Sequence, residues 1–279
     1  MTKELSLRAL LSTSALTPAE AKILMTYILN SHYKLPRSAL FSRDDMLLNE
    51  KVLAEWKTLE TRRLSGEPIA YLVGKKGFHK IELYVAPGVL IPRPETELLV
   101  EIGLREIERL NKSVKVLDLG TGSGAIALAI AHESPHAEVV ATDQSIEALE
   151  IAKENAKLLN LNRVQFVQGS WYEALKNEPP FDIILSNPPY IAAQDPHLGQ
   201  GDLRFEPVFA LTDHASGLTC LENIIFGCKA HLQPTGLLAV EHGFDQSKAV
   251  VDLMNQAGLS NIQTHLDYGG HHRVVSGSK

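Results

Sequence analysis

The sequence predicts an α/β fold, a doubly wound and mostly parallel sheet behind a small helical module. Three observations predict it. From about residue 114, apolar strand-like runs alternate with helical patterns. The first seventy or so residues carry only helical spacing. Between them lies a stretch of alternating residues broken by glycine. The chain has 279 residues, 44% hydrophobic and 22% charged, which suits one large domain and one small one. The expected division is a helical domain over residues 1–72, a hairpin linker over 73–92 and the α/β domain over 93–279.

The helical module opens its main helix at "TPAEAKILMTYIL". Thr17 is followed by Pro18 at the first helical position and Glu20 three residues after the cap, a capping box with an N1 proline. Ala21, Leu24, Met25, Ile28 and Leu29 recur at helical spacing. Ser42 is expected to cap a second long helix with Met46, Leu47, Val52, Leu53, Trp56 and Leu59 on its apolar face. Gly66 and Pro68 stop it. Residues 1–70 have a formal charge of +2 and the remainder −8, a mild asymmetry.

The linker, "AYLVGKKGFHKIELYVAPGVLIPRPETE", reads as a short hairpin. "PRPETELLV" then starts a helix, with Pro94 early and Glu95 and Glu97 favourable to the helix dipole. "VKVLDL", "AEVVATD", "VQFVQG", "FDIILSN" and "GLLAVEHG" read as buried strands. "GAIALAIAHE", "SIEALEIAKENAKLLN" (opened by Ser145) and "CLENIIFGCKAHL" are helices among them. "NIQTHLDYGGHHRVVSG" closes the chain as two strands joined near Gly269–Gly270.

The net charge of −6 argues against a strongly basic nucleic-acid binder. Cys220 and Cys228 fit neither a redox pair nor a zinc half-site, and two thiols without a framework suit a reducing compartment. The first residues lack an apolar signal region, and no stretch approaches the ~20 apolar residues of a membrane span. A cytoplasmic protein with no membrane partner is expected. His271 and His272 are adjacent, without a third ligand at metal spacing, so no metal is assigned.

"VLDLGTGSGAIALAIA" puts Gly120, Gly122 and Gly124 between the first strand of the sheet and its helix. Small residues there let a ligand approach the backbone, and the helix start offers free N–H groups. Asp143 ends the next strand, nineteen residues after Gly124, where a carboxylate can accept from ribose hydroxyls. No lysine follows the glycines, so this is not a phosphate-cradling loop. An adenosine-type ligand without a phosphate requirement fits.

With "SNPPYI" added, these motifs resemble the class I S-adenosylmethionine-dependent methyltransferases. "GEPIAYLVG", "LIPRPETE", "LDLGTGSGAIALA", "SNPPYI", "QDPHL…GDLRFEP" and "DYGGHHRV" occur in the order found in the PrmC/HemK family. The resemblance covers essentially the whole chain. It implies a seven-stranded Rossmann-like sheet whose last strand runs antiparallel. It also implies transfer of a methyl group to the glutamine side-chain amide of the Gly-Gly-Gln loop in class 1 peptide chain release factors. The implied cofactor is S-adenosyl-L-methionine, leaving as S-adenosyl-L-homocysteine. The implied cofactor contacts are Gly120, Thr121, Gly122, Ser123, Gly124, Asp143, Trp171 and Asn187. The family usually has an acidic residue before an aromatic, placed to meet the adenine amino group. Here "GSWYEAL" puts Ser170 in that place, a weaker acceptor than a carboxylate.

The chemistry says what "NPPY" must supply. An amide nitrogen is a poor nucleophile because its lone pair is delocalised into the carbonyl. Two acceptors aimed at its two N–H bonds would orient it and favour a free lone pair. The Asn187 side-chain oxygen and the Pro188 carbonyl can be those acceptors, with Pro189 helping to fix the backbone. Tyr190 offers a flat face for a planar amide or base. Asn187, Pro188 and Tyr190 are therefore the expected catalytic residues, and with Pro189 they form the substrate slot.

Arg93 can line the pocket or cap the segment before it. Glu206 and Arg204 can order the loop after "NPPY" or pair locally, and His242 can border the site or be structural. A nucleic-acid amino methyltransferase uses nearly the same chemistry on a flipped base. The segment 191–215 argues against it, because Arg204 stands against Asp195, Asp202, Glu206 and Asp213, an acidic lip that would repel phosphates. Glutamine methylation of a ribosomal protein is a third reading, and a non-catalytic cofactor-binding module a fourth. The expected partner is a release factor docked by the N-terminal module, with no stable nucleic-acid binding and the enzyme a monomer.

Overall fold

Thr17 caps its helix as the sequence predicts. Its hydroxyl accepts from the Glu20 N–H, and the Glu20 carboxylate accepts from the Thr17 N–H. The computed structural model that shows this describes residues 5–175 and 178–279, and the chain divides after Lys75 into two compact units. The first four residues of the 1–72 module lie outside the described residues.

The first unit contains β1 (Leu5–Ser6), α1 (Leu7–Thr13), α2 (Pro18–Tyr33), α3 (Ala39–Ser42), β2 (Leu47–Leu48), α4 (Glu50–Leu64) and α5 (Ile69–Val73). Leu24, Met25, Ile28, Val52, Trp56 and Leu59 share one buried core. One expectation fails here. Ser42 ends the short α3 instead of capping the long helix. Leu47 and Leu48 pair with Ser6 and Leu5, which takes Met46 and Leu47 out of the helix. Asn49 is the cap instead, its side chain accepting from the Val52 N–H at 3.0 Å.

The second unit begins with the hairpin of β3 (Lys75–Phe78) and β4 (Ile81–Tyr84), turned through a left-handed His79. A 3₁₀ turn over Pro94–Thr96 leads into α6 (Glu97–Leu110). There follow β5 (Lys115–Leu119), α7 (Ala125–Glu133), β6 (Glu138–Asp143), α8 (Ile146–Leu158), β7 (Gln165–Gln168) and β8 (Phe181–Ser186). The chain ends through α9 (Thr219–His231), β9 (Leu232–Glu241), α10 (Ser247–Gln256), β10 (Ser260–Leu266) and β11 (His272–Ser278). The sequence carries no clear mark of α10. Only Val250 and Met254 of it are buried, a stripe too narrow to stand out.

The seven strands lie in the order β10-β11-β9-β8-β5-β6-β7. β5 to β9 are mutually parallel, and β11 runs antiparallel to both β9 and β10. This is the doubly wound α/β sheet that the sequence predicts. Apolar side chains of α6, α7 and α8 cover one face, and those of α9 and α10 the other. From β5 the chain winds to β6 and β7, then returns to the other side of β5 as β8. The reversal opens a crevice at the carboxyl ends of β5 and β8, where open α/β sheets bind ligands. Register places Leu119 beside Thr142 and Ser186, and Ser186 beside Val240. The segments after β5, β6, β8 and β9 therefore all emerge at one edge. Among the described residues no helix is long and apolar enough to cross a membrane.

Candidate active site

The turn after β5 is left-handed at Gly120, Gly122 and Gly124, with φ of 72°, 55° and 86°. At Gly124 a Cβ would also lie 2.8 Å from Leu128 and 3.3 Å from Ala152, so glycine is needed twice over. Hydrogen bonds fix the loop from three sides. Gly120 and Thr121 donate their N–H groups to the Thr142 carbonyl, both at 2.9 Å. Gly122 N–H donates to Asp143 Oδ2 and Ser145 N–H to Asp143 Oδ1, each at 2.9 Å. Buried Asn155 donates to the Ser123 and Tyr84 carbonyls at 2.9 Å, tying the loop to the hairpin strand. Beneath them Asp118 Oδ2 accepts from the Thr121 hydroxyl at 2.6 Å and the Ala127 N–H at 3.1 Å. Burial pushes the Asp118 carboxyl up to about 7 against those two donors.

The loop lines a cavity of about 250 Å³. Of the residues expected there, Gly120, Thr121, Gly122, Ser123, Asp143, Trp171, Asn187 and Pro189 line it, as do Ser170 and Arg93. Gly124, Pro188 and Tyr190 do not. Trp171 sits at a left-handed φ of 45° with its ring over Gly120. A carboxylate, a flat indole and a backbone stripped of side chains suit a nucleoside, and the loop lacks a lysine for phosphate.

Across the crevice, Asn187 Nδ2 donates to Thr96 Oγ1 at 2.9 Å. With its NH₂ end committed, the oxygen end of the amide is left for the cavity. Tyr190 is turned the other way. Its ring packs with the apolar cluster over α9 and its hydroxyl donates to Glu241 Oε1 at 3.0 Å. Burial beside that carboxylate holds its phenol well above the ordinary tyrosine range. The half-buried Tyr190 does not line this cavity, where the sequence expects it to offer a stacking face.

The loop after "NPPY" is tied down at several points. Ile191 N–H donates to the Leu211 carbonyl at 3.0 Å. Gln246 Nε2 donates to the Tyr190 carbonyl at 2.9 Å and the Gly217 carbonyl at 3.3 Å. Gly217 has φ of 85°, and a Cβ there would lie 2.4 Å from the Tyr190 carbonyl oxygen. Gly217→Ala is expected to lower folding stability by about 2 kcal/mol or more, from the left-handed backbone and the displaced carbonyl together. A denaturant melt checks it, and an unchanged midpoint would rule out the close approach.

Glu206 pairs with Arg93 and also accepts from the Ile91 N–H at 2.9 Å. Burial raises its pKa, with Arg93 opposing. The pair joins "IPRP" to the loop after "NPPY". It also weakens the case for an acidic lip. Glu206 is buried and matched by Arg93, Asp213 accepts from the Ala215, Gly217 and Thr219 N–H groups, and Asp195 pairs with His197. Glu206 therefore adds little to the charge of that lip, while Asp195 and Asp213 stay part-exposed and also hold the loop. His242 is buried, with Nδ1 donating to the Gly243 carbonyl at 2.7 Å, and it does not line the cavity. Among the described residues no group of three or more His, Cys, Asp or Glu side chains is placed to hold a metal.

Thr96, Asp118, Asn155, Glu241 and Gln246 escaped the sequence reading. Glu241 left the clearest trace, a carboxylate at the end of the apolar run "LLAVE".

Two family models match the chain, the PrmC N-terminal domain over residues 7–74 and the methyltransferase small domain over residues 95–200. The release factor glutamine methyltransferase of Xylella fastidiosa (strain Temecula1) is 46% identical over 266 residues, covering 95% of this chain and 94% of that one. The chain belongs to the release factor glutamine methyltransferase family. The relative of the same name from Bordetella pertussis is 45% identical, over 97% of this chain and 98% of its own. Among solved structures, a methyltransferase from Pyrococcus furiosus has a TM-score of 0.52 at 21% identity, over 80% of this chain and 98% of that one. A 16S rRNA N2 methyltransferase from Thermus thermophilus, solved with AdoMet and guanosine, has a TM-score of 0.53 at 23% identity, over 74% of this chain and 49% of that one. The fold is therefore shared with enzymes of other substrates, and within it the family is set by sequence.

Proposed function

We propose that this enzyme transfers the methyl group of S-adenosyl-L-methionine to the side-chain N5 of the glutamine in the Gly-Gly-Gln loop of class 1 peptide chain release factors. The observation that carries this reading is the match to release factor glutamine methyltransferases along nearly the whole chain, at 46% identity. Gly120, Gly122 and Ser123 would hold the cofactor against the loop, Asp143 its ribose and Trp171 its adenine side. The cofactor supplies a methyl group already activated on a cationic sulfur. Everything else asked of the protein is positioning.

The Asn187 oxygen accepts one N–H of the glutamine amide, and the Pro188 carbonyl accepts the other. Held by both, the nitrogen presents its lone pair perpendicular to the amide plane. Both acceptors also stabilise the positive charge that grows on nitrogen as the new N–C bond forms. The nitrogen then loses its extra proton to water, giving the methylated amide. No side chain has to act as a strong base, which suits a cavity whose carboxyl groups, Asp143 and Asp213, are both engaged by backbone N–H groups. The net charge of −6 supports the same choice of substrate class, because nucleic-acid affinity comes largely from cations that neutralise phosphates.

Labelled S-adenosylmethionine incubated with a release factor, a ribosomal protein or DNA tests the proposal, with the label located by mass spectrometry. Label on the Gly-Gly-Gln glutamine is expected. Label on a base or a ribosomal protein alone would overturn it.

A further inference from the structure

Glu241 ends β9, the strand beside β8, which Asn187 directly follows, and is fully buried. Its Oε1 accepts from the Tyr190 hydroxyl at 3.0 Å. Its Oε2 has no well-formed hydrogen bond among the described residues. A buried carboxylate oxygen left without a donor is costly and asks for an explanation. The Thr96 hydroxyl supplies one. Thr96 is itself buried, and although burial pushes the Glu241 carboxyl up to about 7, the Thr96 hydroxyl beside it is the foremost influence favouring the charged form. The lone-pair side of the same hydroxyl is taken by Asn187 Nδ2, at 2.9 Å. A hydroxyl has one proton, and the Asn187 NH₂ group cannot accept it. The carboxylate oxygen alongside can.

We infer that Glu241 is a positioning residue of the transfer site, holding "NPPY" from beneath through Tyr190 and setting, through the Thr96 hydroxyl, which end of the Asn187 amide faces the cavity. An asparagine amide is nearly symmetric in shape, so packing alone does not choose between its two ends. A threonine hydroxyl alone does not choose either, since it can donate or accept. Once its proton is drawn to a carboxylate, its oxygen is an acceptor only. It then takes the NH₂ end of Asn187 and leaves the oxygen end for the substrate. The reversed amide would present two donors to a glutamine NH₂ that is itself a donor, and the slot would repel its substrate. Thr96 belongs to "IPRPETE", so this relay gives that segment a part in transfer through a group that never touches the substrate.

The inference rests on the reading of Asn187 as an acceptor, and a double-mutant cycle separates the two. Thr96→Val removes the hydroxyl at nearly constant shape. It is expected to lower kcat about tenfold or more, with KM for cofactor and release factor changed less than about twofold and the melting temperature little moved. Thr96→Ser keeps the hydroxyl and should restore most of kcat. In an Asn187→Ala background, Thr96→Val should cost nothing further, because its effect passes through Asn187. Glu241→Gln, measured through the same cycle, should behave likewise and serves if Thr96→Val folds poorly. A Thr96→Val enzyme with normal kcat, or a loss that adds in full to that of Asn187→Ala, would overturn the inference. If Asn187→Ala itself leaves kcat unchanged, the acceptor role falls and the inference with it.

Discussion

Asn187→Ala lowers turnover by an expected ~10²–10³-fold at saturating cofactor, while cofactor affinity stays within a few-fold of the parent. The size follows from the role proposed for the side chain. Its oxygen is held in place before the substrate arrives, by Nδ2 bonded to Thr96 at 2.9 Å. A preorganised acceptor needs no rearrangement as charge develops on the substrate nitrogen, so its loss falls on the transition state. Asn187 lines the same cavity as the Gly-rich loop and Asp143, and those are expected to carry most of the cofactor's binding. Asn187→Asp sharpens the test. Aspartate keeps an oxygen for the cavity, but its second oxygen meets Thr96 Oγ1, and the hydroxyl must turn its proton from Glu241 to the new carboxylate. Two buried carboxylates then lie near one hydroxyl, and one of them is driven to bind a proton. Partial activity is expected, between that of the parent and that of Asn187→Ala. Single-turnover methyl transfer with excess enzyme measures the step directly. Near-normal rates in Asn187→Ala would remove Asn187 from the chemistry.

What could be read from the sequence was local. The strand, the Gly-rich turn and the helix after it lie within about twenty residues of one another, and so does Asp143. Periodicity and turn chemistry suffice to place such neighbours on one edge. "NPPY" was legible for the same reason, as a rigid turn directly after an apolar strand. The missed contacts are those that only the finished sheet creates. Asn187 reaches Thr96 across 91 residues, Tyr190 reaches Glu241 across 51, and Glu206 reaches Arg93 across 113. Spacing carries no signal over such separations. The same cause misplaced the cap at Ser42, because Leu47 and Leu48 pair with a strand some forty residues earlier in the chain. Charge counting failed for a related reason. Carboxylates counted as a surface lip proved to be holding backbone N–H groups and Arg93. A count of charges does not say which of them face water.

Replacing Asp143 should cost cofactor affinity about as much as Asn187 costs turnover. Its two oxygens already accept the Gly122 and Ser145 N–H groups at 2.9 Å, and each keeps a lone pair toward the cavity it lines. Under the proposed function the carboxylate would support the loop and meet the ribose at once. Hydrogen bonds to a charged group are worth about 1.5–3 kcal/mol each, so two lost ribose bonds, about 3–6 kcal/mol together, give a drop of roughly 10²-fold or more in Asp143→Ala. Asparagine is expected to be nearly as poor. Whichever way its amide lies, an NH₂ group faces a backbone N–H, donor against donor, and either Gly122 or Ser145 loses its acceptor. If Asp143 served the ribose alone, Asp143→Asn would keep a good share of the affinity. The pH dependence has a definite sign. Burial raises the Asp143 pKa from its ordinary value, with the Ser145, Gly122 and Gln144 N–H groups opposing it. The charged form binds, so affinity should weaken as pH falls through that raised value, and the part of the slope due to Asp143 should vanish in Asp143→Asn. Calorimetric titration of the cofactor across the acid range, with kcat measured at saturation, separates this from a catalytic defect. Unchanged affinity in Asp143→Ala would mean that the ribose lies elsewhere.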